Sequence, residues 1–565
     1  MNATLYLADR VRPCDGVTAP GEALVVRDGR VAGVGTRADM RRLAGGGAAV
    51  IDVRGATILP GLVDTHPHLL HFAAFAAPLV DLADAVDHAD IAARLAARAA
   101  ETPPGEWIMA SPVGEPHYFI RRSWRDLAEG ALPDRRVLDC AAPDHPVFIQ
   151  AWAPVTPNVC ALNSLGLARL GLTRETPDQV EHVWIEKDAG GEPTGILRGA
   201  VNNYYSNDTF MNSLLRQLPL LQPDAALAGT RRAMAAYNRL GVTTIYEGHA
   251  MGVGEIGAWQ LLRQQDALTV RVLTALEAEP YGLPWHTPLS DAEFQATLET
   301  ALAMQQSGDD LLRHRGVTLS RGGPCWPGFI RMWEPYRGPW GELTTGVEFV
   351  APHKEQAALD FCLDHDLRLN FIGAGYRDHD EFLDRVEAAA RRTPIAGRDW
   401  IVQHVFFLTE RNARRYAALG IHATTSLSFC WGKGDLFVER LGESVLADLI
   451  PLRRMLDAGL VVGCGSDWGP KNIFEHIALA ETHAFAGSGR RNDGPAQRVT
   501  RAEAVAMWTC DGARAIGWPG VGTLSPGSYA DLIILDRDPL TCALEELAAT
   551  RVLQTALGGN VVAAV

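Results

Sequence analysis

The sequence has no Cys-x-x-Cys pair, and its nine cysteines are scattered over 565 residues. That spacing argues against a disulfide framework and for reduced, mostly buried thiols in a cytoplasmic protein. Long apolar runs are missing as well. Stretches such as Ala73 to Val80 are too short to span a bilayer. The opening MNATLYLADRVRP lacks the basic start and apolar run of a secretory leader. Positive charge is in deficit, with a net charge of −15. This speaks against nucleic acid or an anionic membrane as the main partner and does not identify a substrate. No Gly-rich nucleotide fingerprint follows a first strand, and there is no internal repeat. What remains is a globular composition, 47% hydrophobic and 21% charged, long enough for one large and one small domain.

The two ends share a character that the middle lacks. Ala23 to Gly35 reads as a hairpin around Asp28-Gly29, a favoured tight-turn pair. Gly527 to Asp536 reads as a strand, and Arg551 to Val565 as two more around Gly558-Gly559. The middle alternates short apolar runs with Ala-rich amphipathic stretches. Candidate strands are Val147–Gln150, Val242–Tyr246, Val270–Leu273, Leu367–Phe371, Trp400–Gln403 and Leu460–Gly463. Lys354–Asp364 and Asp380–Arg391 are candidate helices. Repeated strand-then-helix units predict an α/β fold, a TIM-like (β/α)8 barrel with insertions, one of them over Ala200 to Pro223. The expected layout is a small β-sandwich shared by residues 1–58 and 516–565, with the barrel over 59–515.

One run carries most of the chemistry: Ile58-Leu-Pro-Gly-Leu-Val-Asp-Thr-His-Pro-His68. An apolar strand ends in His66-x-His68, and alternate residues on a strand face one side. Two neutral imidazoles on one side can grip a divalent metal at the carboxyl-terminal mouth of a barrel. Trp400-Ile-Val-Gln-His404 is a second strand ending in a ligand type, and Val461-Val-Gly-Cys-Gly-Ser-Asp467 a third. A lone strand-end His or Asp is usually a cap or surface residue; three in one barrel converge on one mouth.

These motifs, with the opening hairpin and the closing Gly-Thr-Leu-Ser-Pro-Gly-Ser-Tyr-Ala-Asp-Leu-Ile-Ile-Leu-Asp, resemble the amidohydrolase superfamily. The resemblance is strongest to its family-3 branch, which includes N-substituted formamide deformylases. It implies that His66 and His68 are the first-strand metal pair, that His404 binds metal or contacts substrate, and that Asp467 binds metal and relays the proton of the attacking water. It also implies one divalent metal ion, with zinc ahead of iron or manganese, and a homodimer.

The chain departs from the pattern at three places. Thr318 stands where many relatives carry a carbamylated Lys, so no carbamylated Lys is expected. Asn370 stands where a fifth-strand His is usual, and Trp152 where another His is usual. Asn offers a neutral amide oxygen, a weaker zinc ligand than imidazole. His249 or Glu247, in Tyr246-Glu-Gly-His249, is a replacement ligand or a plain loop residue, the second being the expectation. Asn370, Trp152, Arg321, Trp326 and Trp468 are candidate substrate contacts: the aromatics to stack on a flat ligand, Arg321 to clamp a carboxylate. Lys471 and Lys433 read as surface charge, and His71 as packing or solvent-facing. The expected reaction is metal-dependent hydrolysis of a non-peptide C–N bond, in an amide, formamide, cyclic amide or imine. A lyase, isomerase or cyclase on the same scaffold, or a binding barrel without catalysis, stays open.

Overall fold

The computed structural model describes residues 3–114, 121–152, 156–204, 208–305, 307–323 and 328–565. Eight parallel strands form its centre: β1 (Leu62–Asp64), β2 (Val242–Glu247), β3 (Arg271–Glu277), β4 (Leu312–Ser320), β5 (Leu369–Gly373), β6 (Ile401–His404), β7 (His422–Thr425) and β8 (Val462–Cys464). Each pairs with its sequence neighbour, so spatial order follows chain order. Buried on both faces, such strands are written as near-continuous apolar runs, as in Leu369-Asn-Phe-Ile-Gly373. The helices between them include Pro352–Asp364, which starts with the Pro that the first helical turn tolerates, and Tyr376–Ala390. The amino-terminal end of the barrel is plugged by Val63, Tyr246, Leu273 and Ile401 packed on Ile516 and Trp518.

The expected strand at Val147 exists but lies elsewhere. Val147–Ile149 pairs with Ile108–Ala110 and Asn158–Leu162 in a separate six-stranded sheet inserted between β1 and β2. Its own core gathers Ile91, Leu95, Leu138 and Ile149. A short apolar run announces a buried strand but not the sheet it joins. The insertion is thus much longer than Ala200 to Pro223, a span that itself holds the helix Thr209–Leu215, capped by Asp208.

Both chain ends meet in one seven-stranded sheet, in which Leu532–Leu535 pairs with Ala49–Pro60. The hairpin turns at Asp28 (φ 50°) and Gly29 (φ 74°), the left-handed pair that matches strand twist. One face of the sheet buries Tyr6, Leu24, Ile58, Leu532 and Ile534 together, joining residues from the two ends of the chain. The sheet is fastened to the barrel by Arg271, the first residue of β3. Its guanidinium forks onto Asp531 at 2.6 and 2.9 Å and lies over the Tyr529 ring. No helix among the described residues is long and apolar enough to cross a membrane.

Candidate metal centre

The site lies on the seam where β1 meets β8. Asp64, the last residue of β1, accepts from the backbone N–H of His66 at 3.1 Å and of Ser466 at 2.9 Å. Asp467 N–H donates to the His66 carbonyl at 2.8 Å, and Thr65 N–H to the Cys464 carbonyl at 3.2 Å. One buried carboxylate therefore ties both ligand-bearing loops together. The close approach requires Gly465, where a Cβ would fall 2.6 Å from the His66 Cβ and 2.7 Å from its nitrogen. Gly465→Ala is expected to push the loops apart, cost about 1–3 kcal/mol of stability by overpacking, and lower bound metal and activity together. Metal analysis of the variant checks this; unchanged metal content would show that the seam does not set the site.

The mouth departs from regular strand geometry. β1 ends at Asp64, so His66 and His68 sit beyond it rather than on alternate strand positions. His68 (φ 48°), His404 (φ 72°), Asp467 (φ 53°) and Trp468 (φ 60°) all adopt left-handed backbone. Non-Gly residues there cost free energy and persist where surrounding structure holds them, a pattern that gathers at functional sites. Lys471 supplies part of that hold, donating its ammonium to the Ser466 and Asp467 carbonyls. The expectation that Lys471 and Lys433 are surface charges is corrected: they are 3% and 6% exposed.

The four predicted ligands come together. His66 and His68 Nε2 are 3.1 Å apart. Asp467 carboxylate oxygens lie 4.0, 3.6 and 3.7 Å from the Nε2 atoms of His66, His68 and His404. Ligand atoms of His66, His404 and Asp467 all fall within 4.8 Å of one another. Burial pushes the His66 imidazole down to about 4 and those of His68 and His404 well below the usual value, so all three are neutral and offer lone pairs. Burial raises the Asp467 carboxyl to about 7, against the pull of Lys471 and Lys433. The His–Asp contacts are accordingly not ion pairs. His66 Nδ1 donates to Gln403 Oε1, which turns its Nε2 lone pair toward the cluster. His404, 3% exposed, has no hydrogen-bond partner on either ring nitrogen among the described residues. An unpaired buried polar group costs about 1–3 kcal/mol, and a cation would relieve it. The donor set, neutral imidazoles with one carboxylate, fits a divalent metal of the zinc type.

The substrate candidates divide. Trp468 lies 5.9 Å from His68 and 4.7 Å from Tyr204, ring to ring, and Trp152 lies 6.4 Å from Trp468. With Phe72 they make an aromatic wall beside His68. Trp326 lies outside the described residues. Arg321 and Arg331 are each 2% exposed and held by carboxylates: Arg321 by Glu348, Glu355 and Glu381, Arg331 by Asp378 and Glu381. The Arg321 fork is committed to the protein's own carboxylates, so the expectation that it clamps a substrate carboxylate is corrected. Asn370 is fully buried, and its amide N–H donates to the Gly248 carbonyl and to Thr318 Oγ1. His71 is 2% exposed with Glu255 at 3.9 Å. Cys464 packs its sulfur 3.8 Å from that of Met507, and burial pushes its thiol up to about 12.

Sequence reasoning gave too little weight to His249. Its ring lies 5.5 Å from that of His66 and 5.2 Å from that of His68. The signal was present, since it follows β2 directly, but its nearness to β1 requires the barrel. Gln403 and Glu277 went unnamed for the same reason. Cavity size does not mark the chemistry: a cavity of 780 Å³ lined by Cys14, His422, Cys510 and Trp518 lies at the opposite, amino-terminal end.

A parallel eight-stranded barrel with buried imidazoles and a carboxylate at its carboxyl-terminal mouth defines a barrel enzyme with a candidate metal centre. The chain belongs to the amidohydrolase family, whose sequence profile matches residues 49–563. It is 28% identical to the N-substituted formamide deformylase of Arthrobacter pascens, over 99% of this chain and 98% of that protein. Its fold is similar to that of a metal-dependent hydrolase from Pyrococcus horikoshii, with TM-score 0.72 and 19% identity over 97% of this chain and 100% of that one. It is also similar to atrazine chlorohydrolase from Arthrobacter aurescens, solved with zinc, with TM-score 0.53 and 16% identity over 99% of this chain and 94% of that one.

Proposed function

We propose that this enzyme hydrolyses a non-peptide carbon–nitrogen bond of a small molecule, an amide or formamide first, with one divalent cation held by His66, His68, His404 and Asp467. The observation that carries the reading is the convergence of three neutral buried imidazoles on one buried carboxylate, with neither His404 nitrogen hydrogen-bonded among the described residues. A divalent cation held by these residues would supply Lewis-acid chemistry, lowering the pKa of water toward neutrality. Asp467 accepts the proton of the attacking water and returns it to the leaving nitrogen, which departs as an amine. Asp64 and Lys471 fix the loop that carries Asp467, so this transfer needs little rearrangement. Trp152 and Trp468 exclude water on the His68 side and favour a flat or apolar substituent on the substrate. Thr318 has no amine to carry a carbamate, which supports one cation rather than a bridged pair.

Zinc is the ion of this reading. Metal analysis of the purified protein is expected to give about one equivalent, the count that this single four-residue site allows. A chelator should abolish hydrolysis of an N-substituted formamide, and Zn²⁺ should restore it. A metal-free preparation that converts a substrate without consuming water would overturn the proposal in favour of a lyase, isomerase or cyclase. One that binds ligands without turnover would favour the binding barrel.

A further inference from the structure

We infer that His249 is a further ligand of this cation, a fourth imidazole supplied from the second strand; the inference rests on the metal-dependent reading above. His249 follows β2 by two residues and is 2% exposed. Its Nδ1 lies 3.1 Å from Glu277 Oε2, at the end of β3. That carboxylate is itself fixed, accepting from Ala250 N–H at 2.9 Å and Ser320 Oγ at 2.9 Å. A carboxylate on one ring nitrogen sets the tautomer of an imidazole and leaves the lone pair on the other, the arrangement that orients metal-binding histidines. The Tyr281 hydroxyl lies 3.5 Å from Nε2.

Ring spacing supplies the second argument. A Zn–N bond of about 2.0–2.1 Å puts a ring centre roughly 3.2 Å from the ion, so two imidazoles on one ion have centres about 4.5–6 Å apart. The His66–His68 and His66–His404 ring centres, at 4.8 and 4.9 Å, meet that condition. So do those of His249 to His66, His68 and His404, at 5.5, 5.2 and 5.9 Å.

The loop that carries His249 is held from the fourth and fifth strands. The Gly248 carbonyl, immediately before His249, accepts from both Thr318 Oγ1 and Asn370 Nδ2. These are the two positions at which the chain lacks a Lys and a His. Thr318 Oγ1 and Asn370 Nδ2 are both committed to that carbonyl, and together they anchor the residue beside a different imidazole. The ligand set is relocated from the fourth and fifth strands to the second, with Glu277, Thr318 and Asn370 as positioning residues.

The test is a titration of the chelator-stripped protein with Co²⁺, following d–d absorption and competition with a chromophoric chelator. Wild type should take up one equivalent. His249→Ala should lose more than the roughly 10–100-fold in affinity that removal of an outer-shell partner costs, with a changed d–d band. Glu277→Gln should fall within that range and keep the band. Circular dichroism identifies a misfolded variant, in which case His249→Gln, which retains bulk, carries the comparison. Wild-type affinity and spectrum in a folded His249 variant would overturn the inference and leave the four-ligand reading standing. A wild-type protein that takes up no Co²⁺ would overturn the metal-dependent reading itself.

Discussion

Asp467→Asn is expected to reduce turnover by at least 10²–10⁴-fold, about what a positioned acid–base group contributes, while the chain stays folded. The substitution keeps shape and removes charge. Asp467 is 4% exposed, and burial already pushes its carboxyl to about 7. A neutral amide in its place carries no added cost of burying charge. The backbone stays anchored, because Lys471 grips the Ser466 and Asp467 carbonyls rather than the carboxylate. His68→Ala should behave alike: its Nδ1 has no hydrogen-bond partner among the described residues, so removing the ring strands no donor or acceptor at that atom. Steady-state kinetics on an N-substituted formamide, with circular dichroism as the control for folding, measures both. Two variants with near-wild-type kcat/KM would show that these side chains do not carry the reaction.

Arg271→Met is expected to cost about 3–5 kcal/mol of stability, the range for breaking a buried ion pair. Arg271 and Asp531 have side chains 4% and 1% exposed, and the contact is bidentate. The pair joins the first residue of β3 to the sheet formed by the two chain ends, and Asp531 also accepts from Gly558 N–H at 2.7 Å. Removing the guanidinium leaves a carboxylate without its partner in a dry interface. The double variant Arg271→Met/Asp531→Leu should recover most of the loss, since an apolar pair of similar volume strands no charge. Urea midpoints of the three proteins decide the matter. A single variant as stable as wild type, or a double variant no better than the single, would show that the pair is not the clamp.

The sequence was most readable where local physics leaves one answer. Asp28-Gly29 specifies a tight hairpin whatever surrounds it, and the hairpin is there. Strand-then-helix alternation pointed to the barrel, and Ile401–His404 and Val462–Cys464 lie where the apolar runs place them. It was least readable where partners are distant in the chain. Val147–Ile149 has the composition of a barrel strand and belongs to another sheet, because an apolar run does not name its neighbour. Lys433 and Lys471 read as surface charges and Arg321 as a substrate clamp because the burial of a charge depends on partners that tertiary structure brings: Glu355 for Arg321, backbone carbonyls for Lys471.

By itself, then, the chain determined residue types and their order: an apolar strand ahead of His66 and His68, another ending at His404, a third before Asp467, and no amine or imidazole at 318 or 370. Folding alone decided which of them meet. The curl of the sheet brings the end of β8 against the end of β1 through loop hydrogen bonds, while β1 pairs with β2, so Asp467 and His249, 218 residues apart by their numbers in the chain, both stand beside the same imidazoles. That adjacency comes from long-range strand pairing, which no local window of sequence encodes, whereas turn and strand propensities act within a few residues and are written in them.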